Sequence, residues 1–338
     1  MARQGTEIVR SAPGRHVRGR PTAKALARDV LDRGVSVDSD FMRIGVTLPI
    51  AQDETVVGRS PTFEETLRFA RHAEGAGLDS LWVYDHLIFR TAGEPEEGIR
   101  EAWTTKTALA ALVPRVEIGS LVMCASFRHP AVMAKMAATL DDLAGGRVIL
   151  GLGSGWYEPE YAAFGFPFDN RVGRFAEDLE ITARLLRGDR FTFDGRWRTM
   201  RDAVLMPPPE RPVPVLVAAK GPRMLKLTAT WADAWNTAWF GSVDERLRGR
   251  LAELDEACDQ VGRDRATIRR TIGIKVGDPG DRAGDATTLV GDTDAIARFF
   301  DELAGVGIDD ALVWSMSKSL DAVDRIAEAR RRHLGGAR

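Results

Sequence analysis

One unit recurs along the chain, in which a helical segment ends in glycine and leads into a continuous apolar run. It is clearest in "HAEGAGLDSLWV" (72–83) and "LAGVGIDDALVW" (303–314). Glycine just past a helix end adopts the left-handed conformation, so it marks where the helix stops. Strands that are apolar throughout are typical of a parallel sheet covered by helices on both faces. The unit therefore predicts an α/β fold with parallel strands.

The number of apolar runs separates two such folds. Eight runs qualify as strands, beginning near residues 43, 80, 116, 147, 213, 233, 269 and 310. Eight strand–helix units favour a (β/α)8 TIM barrel, although a doubly wound sheet shows the same alternation. We expect residues 42–330 to form this barrel as one domain. The stretch 186–212 is too long for a simple connection and predicts an inserted hairpin and loop.

Residues 1–41 have a different composition from the rest of the chain. The first twenty contain five arginines but no apolar core of a secretory signal. We interpret 1–41 as a flexible extension that precedes the domain at Met42. The net charge of −2 gives no electrostatic reason to expect a nucleic acid or membrane partner. Two cysteines suit a reducing compartment, so we expect a cytoplasmic protein that acts on a small molecule.

In a TIM barrel the active site lies at the carboxyl ends of the strands. The residues predicted there are rich in glycines and aromatics, include the pair Asp85–His86, and suggest no metal ligands. Such a set favours a planar cofactor that brings its own chemistry. A carboxylate and an imidazole can bind a polar ring edge and move protons near neutral pH. A capping Asp and a hydrogen-bonded loop His explain the pair equally well.

Two turns are candidates for binding a phosphate or an acidic group. The spacing of "GLGSG" (151–155) is not that of a dinucleotide-binding G-x-G-x-x-G loop. "AAKGPRMLK" (218–226) opens a helix, where backbone N–H groups and the charges of Lys220 and Arg223 attract anions. An ordinary strand-to-helix loop is the alternative for this second turn.

Three segments together resemble one known family. They are "WVYDH" (82–86), "SFRHPAVMAKMAATLDDLAGGRVILGLGSGWYEPEYAAFGFPF" (126–168) and "GPRMLKLTATWADAWN" (221–236). They resemble the luciferase-like monooxygenase superfamily, most closely its coenzyme F420-dependent oxidoreductase branch. The resemblance implies a TIM barrel that binds the deazaflavin F420 or reduced FMN at the strand ends. It also implies a homodimer, which is analogy alone.

The resemblance also implies roles for individual residues. The expected catalytic residues are His86, as the proton donor or base, and Asp85, which would also contact the cofactor. Ser120-Leu121 would form a non-prolyl cis peptide against the cofactor ring. Beyond Asp85, the expected cofactor-binding residues are Ser120, Leu121, Met123, Gly153, Ser154, Gly155, Trp156, Ala218, Ala219, Lys220, Gly221 and Arg223. The expected substrate pocket is lined by Trp103, Tyr157, Trp235 and Trp314, although large aromatic residues also commonly fill cores.

The chain departs from the sugar-phosphate dehydrogenases of this branch. Trp156 stands where they have a catalytic Glu, Met123 where they have a Thr, and Ala218-Ala219 where they have a glycine pair. We therefore expect an F420-dependent oxidoreductase that transfers a hydride to or from another small organic substrate. The alternative is an FMN-dependent monooxygenase that uses oxygen, with a flavin or F420 reductase as the supplier of reduced cofactor in either case. A cofactor-binding barrel without turnover is the third hypothesis.

Overall fold

In the computed structural model, eight parallel strands close into a barrel, which confirms the predicted TIM-barrel fold. The ring closes because the first strand pairs with the second on one side and with the last on the other. All eight predicted apolar runs form its strands. They are β1 (Arg43–Thr47), β2 (Ser80–Val83), β3 (Glu117–Ser120), β5 (Val148–Gly153), β8 (Val215–Ala218), β9 (Ala234–Phe240), β10 (Arg269–Gly277) and β12 (Asp310–Ser315).

The structure describes residues 41–336 except 56–57, 92 and 282–285. The predicted extension therefore lies outside the described residues apart from Phe41, and the domain boundaries at 42 and 330 stay a prediction. Four further strands decorate the barrel. They are β4 (Met123–Cys124), which pairs with β5, the antiparallel hairpin of β6 (Phe191–Asp194) and β7 (Thr199–Ala203), and β11 (Thr288–Val290), which pairs with β10. The hairpin confirms the insertion predicted within 186–212.

Helices surround the barrel and connect its strands. They are α1 (Phe63–Ala76), α2 (Ala102–Leu112), α3 (Pro130–Leu143), α4 (Glu158–Phe164), α5 (Arg171–Leu186), α6 (Pro222–Trp231), α7 (Glu245–Val261), α8 (Thr293–Gly305) and α9 (Leu320–Gly336). Helix α1 shows how the local sequence sets these bounds. Thr62 and Glu65 form a capping box at its start, and Gly77 ends it at φ 92°. Among the described residues, no helix is long and apolar enough to cross a membrane.

Two cores stabilise the barrel, one inside it and one between strands and helices. The interior core is small and consists of Trp82, Ile149, Leu216, Ala234 and Leu312. Glycines on neighbouring strands make room for the large indole, since a Cβ added at Gly119 would lie 2.2 Å from the Trp82 ring. Alternate residues of each strand pack outward against the helices in the larger core. This alternation decides which side chains reach the mouth, the carboxyl-terminal end of the barrel.

Candidate active site

His86 lies at the mouth, three residues after β2 ends. Its Nδ1 atom is 3.0 Å from Oε1 of Glu160, in the first turn of α4. The other oxygen of Glu160 accepts a hydrogen bond from the backbone N–H of Leu87 (2.9 Å), and Glu160 is only 1% exposed. Because an ionised carboxylate only accepts hydrogen bonds, this contact places a proton on Nδ1. Nε2 of a neutral His86 ring is then left as a proton acceptor, with no hydrogen-bond partner among the described residues.

Three aromatic rings surround His86. The ring centroids of Phe89, Trp156 and Tyr157 lie 4.6, 5.6 and 6.1 Å from that of His86. We call these three residues the aromatic surface. Trp156 is 67% exposed, an unusual exposure for so large an apolar side chain, whereas the Tyr157 hydroxyl is anchored to the backbone of Arg90. The aromatic surface thus joins the ends of β2 and β5 and leaves an indole available to a ligand.

Asp85 is buried in an ion pair with Arg128, and its predicted contact with the cofactor and its predicted catalytic role stay predictions. Its side chain has no exposed surface, and Oδ2 lies 2.6 Å from Nη1 of Arg128 and 3.0 Å from the backbone N of Cys124. Burial raises the pKa of Asp85, while the Arg128 guanidinium acts in the opposite direction. Arg128 also pairs with Glu101, the N-cap of α2. Asp85 therefore ties together the loops that follow β2 and β4.

A non-prolyl cis peptide lies between Leu121 and Val122, one residue later than the predicted Ser120-Leu121 bond. Strand pairing explains the shift, because the N–H of Leu121 still donates to the carbonyl of Val83 (2.7 Å). Pairing of β3 with β5 ends at Gly119 and resumes in β4 at Met123. Leu121 and Val122 are half-buried and pack on the interior core, where they form a bulge toward the mouth.

The glycines of "GLGSG" serve this bulge rather than a phosphate directly. A Cβ at Gly151 would lie 1.8 Å from the carbonyl oxygen of Ser120, and one at Gly153 would lie 2.6 Å from Val122. Gly155 has φ 74° and leaves no room for a side chain beside the Tyr161 hydroxyl. The same hydroxyl donates to the carbonyl oxygen of Ser154 (3.1 Å). Gly151 and Gly153 therefore make room for the bulge, and Gly155 makes room for Tyr161.

The turn between β8 and α6 carries unpaired positive charge. Lys220 and Arg223 are exposed and make no ion pair or hydrogen bond with another described residue. Partial burial, and then Arg250 and Arg246 of α7, lower the pKa of Lys220. Arg246 and Arg250 are themselves paired with Asp244 and Glu253. Gly221 begins the helix with φ 78°. This surface can attract an anionic group.

The predicted backbone donors of this turn are only partly available. Ala218 is half-buried, but the N–H of Ala219 donates to the carbonyl of Asn236 (3.2 Å) within the barrel. Ala219 itself is buried in the core. The expectation that its amide binds a phosphate is therefore corrected, because strand pairing already uses that donor.

Four other predicted site residues are buried in protein packing. Ser120, Met123 and Trp235 are 0% exposed, and Trp103 packs in the helix-facing core. Strand alternation is the reason on the barrel, since Ala234 faces the interior and its neighbour Trp235 faces the helices. Trp103 lies on α2 and covers the buried amine of Lys106 at 5.1 Å, an amine whose pKa burial lowers to about 7. We withdraw these residues as ligand contacts.

Trp314 lies at the mouth, and its ring contacts two residues that the sequence analysis did not identify. Its ring centroid lies 4.9 Å from that of Tyr84 and 5.6 Å from that of Trp239. We call Tyr84, Trp239 and Trp314 the aromatic wall. The sequence analysis also missed Glu160 and Arg128. Its only signals were an acid within the aromatic stretch "YEPEY" and an arginine within "SFRHP".

Comparison with known proteins identifies the family of this chain. The luciferase-like monooxygenase family matches residues 42–277, well over half of the chain. The chain belongs to the luciferase-like monooxygenase family. The match spans seven of the barrel strands together with the His86 loop, the bulge and the cationic turn. The family resemblance predicted from sequence is thus confirmed.

Individual relatives differ in activity. An F420-dependent glucose-6-phosphate dehydrogenase of Kineococcus radiotolerans is 35% identical over 212 residues, which cover 62% of each chain. The chain thus spans less than two thirds of the length of that relative. Two solved structures share the fold: an F420-dependent secondary alcohol dehydrogenase bound to an F420–acetone adduct (TM-score 0.74, 20% identity, 87% of this chain and 99% of that one) and an EDTA monooxygenase from Chelativorans sp. (0.71, 16%, 86% and 94%).

Proposed function

We propose that this member of the luciferase-like monooxygenase family is an F420-dependent oxidoreductase, which transfers a hydride between the cofactor and a small organic substrate. The observation that carries the proposal is the His86–Glu160 pair, which presents Nε2 beside an exposed aromatic surface at the mouth. The names of the curated relative and of one structural neighbour support F420 as the cofactor. When bound, F420 supplies the hydride donor or acceptor that no side chain can provide.

The residues at the mouth fit this cofactor. The exposed indole of Trp156 and the half-buried bulge of Leu121 and Val122 suit a flat, largely apolar ring system. The exposed Lys220 and Arg223 at the start of α6 suit an acidic tail. The residues that we propose to hold the cofactor are Leu121, Gly153, Ser154, Gly155, Trp156, Ala218, Lys220, Gly221 and Arg223.

In this proposal His86 balances the proton that accompanies hydride transfer. For a substrate that is oxidised at a carbon bearing a hydroxyl group, Nε2 accepts the hydroxyl proton as the C–H bond breaks. In the reverse direction the protonated ring returns that proton to the carbonyl oxygen. Glu160 keeps Nδ1 protonated and stabilises the imidazolium, so it acts as a positioning residue.

Three further features belong to the proposal. We propose that the protein acts in the cytoplasm, that it is a homodimer, and that a separate flavin or F420 reductase supplies its cofactor. The charge of −2 gives no electrostatic reason to expect a nucleic acid or membrane partner. Tyr157 and Trp314 remain proposed pocket residues.

A fluorescence titration tests the cofactor. We expect F420 emission to be quenched on binding, with no response to FMN. Trp156→Ala should weaken F420 binding about 10-fold because it removes the exposed indole. Leu143→Ala is the matched control, since Leu143 is 66% exposed and lies at the end of α3, next to the opposite end of the barrel. FMN binding without F420 binding would support a flavin monooxygenase instead, and binding of neither would overturn both enzyme hypotheses.

A further inference from the structure

Lys275 points into the barrel near the carboxyl end of β10. Residues Ile274 and Val276 on either side of it pack in the helix-facing core. Gly273 faces the interior, where an added Cβ would lie 2.7 Å from the Cβ of Ala238 on β9. Because side chains alternate along a strand, Lys275 shares the interior face with Gly273. The ammonium group therefore belongs to the mouth and not to the outer surface.

The aromatic wall borders Lys275. Strand register places Lys275 beside Trp314 of β12, whose ring contacts Tyr84 and Trp239 across the mouth. Lys275 is half-buried, and it makes no ion pair or hydrogen bond through its side chain within the part of the chain that the structure describes. Tyr84 lies two residues before His86, so the wall connects Lys275 to the proposed proton-transfer site.

A second lysine at the mouth, Lys318, already has an acidic partner. Nζ of Lys318 lies 4.0 Å above the Trp314 ring, but it donates to the carbonyl of Thr47 (3.1 Å) and lies 3.9 Å from Oε1 of Glu54. The other oxygen of Glu54 accepts two backbone hydrogen bonds in the loop after β1. Lys318 and Glu54 together contribute no net charge. Among the described residues, the unmatched charge beside the aromatic wall is therefore that of Lys275.

We propose that Lys275 binds a carboxylate group of the substrate, whose apolar body packs against the aromatic wall. One unmatched cation in a half-buried site balances a monoanion, whereas a phosphate monoester would bring a second negative charge without a partner. This inference rests on the proposed function and narrows its substrate class to apolar carboxylic acids. It separates this chain from the relative that is named for glucose 6-phosphate.

Calorimetric titration of the full-length protein tests the charge preference. The probes are cyclohexanecarboxylate, its neutral amide, and cyclohexyl phosphate, at constant ionic strength. We expect the carboxylate to bind about 10-fold more tightly than the amide, the difference expected for one charged hydrogen bond, and at least as tightly as the phosphate. Equal affinities for carboxylate and amide would overturn the inference, as would tighter binding of the phosphate.

Variants test whether Lys275 causes the preference for the carboxylate over the amide. Lys275→Met should bind carboxylate and amide equally, while Lys275→Arg should keep the preference. Lys226→Met is the matched control, since Lys226 is exposed on α6, and it should behave as the native protein does. A preference that survives in Lys275→Met would refute the role of this residue. Each titration is run with and without F420. A failure of F420 to bind would count against the proposed function alone, because the carboxylate preference is measured independently.

Discussion

The loops that follow β2 and β8 both lie at the mouth, but their charged side chains differ in burial and in ion pairing. After β2, Asp85 is fully buried against Arg128, and His86 is fixed by the buried Glu160. After β8, Lys220 and Arg223 are exposed and have no ion-pair partner among the described residues. The first loop is a network of buried hydrogen bonds and ion pairs, and the second presents exposed cations that have no such partner among the described residues.

The difference indicates that the two loops have different functions. Groups that move protons must keep a defined tautomer and position, which a buried carboxylate provides. Groups that attract a flexible acidic tail need only net charge and access. We therefore expect substitutions after β2 to change rate or stability strongly, and substitutions after β8 to change ligand affinity modestly. Three predictions test this contrast.

The largest effect is expected at the His86–Glu160 pair. His86→Ala should lower kcat by about 10²–10⁴-fold, because it removes the proton acceptor. Glu160→Gln should lower kcat less and shift its pH profile, since the imidazolium loses its counter-charge. The ¹⁵N NMR signal of a protonated Nδ1 should also be lost or weakened in Glu160→Gln. Both variants should still bind F420.

Glu158→Gln is the control for Glu160, because Glu158 is an exposed acid in the same turn of α4. Its kcat and its Nδ1 signal should match those of the native protein. Native kcat and an unchanged pH profile in Glu160→Gln would show that this carboxylate has no positioning role.

A smaller effect, on stability, is expected at Asp85. Asp85→Asn leaves Arg128 with the half-exposed Glu101 alone and should lower the free energy of unfolding by about 3 kcal/mol in urea titrations. The exposed pair of Asp169 and Arg174 is the matched comparison, and Asp169→Asn should leave the free energy of unfolding nearly unchanged. If the two substitutions lowered the free energy of unfolding equally, the buried pair would not be more important for stability than the exposed pair.

The smallest effect is expected at the turn after β8. The double variant Lys220→Ala/Arg223→Ala should bind F420 about 10-fold more weakly and with a shallower salt dependence, at an unchanged Tm. Lys226→Ala, on the outer part of the same helix, should bind F420 as the native protein does. Unchanged affinity and salt dependence in the double variant would place the acidic tail elsewhere.

Much of the fold could be predicted from local sequence patterns. The apolar runs and the glycines after helices identified all eight strands, and the excess length of 186–212 identified the hairpin. The candidate site was predicted less well. Strand ends located His86, Trp156 and Trp314 at the mouth, but Trp103, Trp235 and Met123 lie in the helix-facing core. Residue type alone does not say which face of a strand or helix a side chain occupies.

The sequence by itself determined the order of strands and helices, their approximate ends and the family, because these depend on periodicity and on contiguous motifs. Only the tertiary structure decided how Asp85 and His86 differ. Adjacent in sequence, they meet Arg128 and Glu160, which lie 43 and 74 residues further along the chain. Such partners are brought together by the closure of the barrel. The side chains at its mouth therefore acquire their protonation, burial and direction from strands that are distant in sequence.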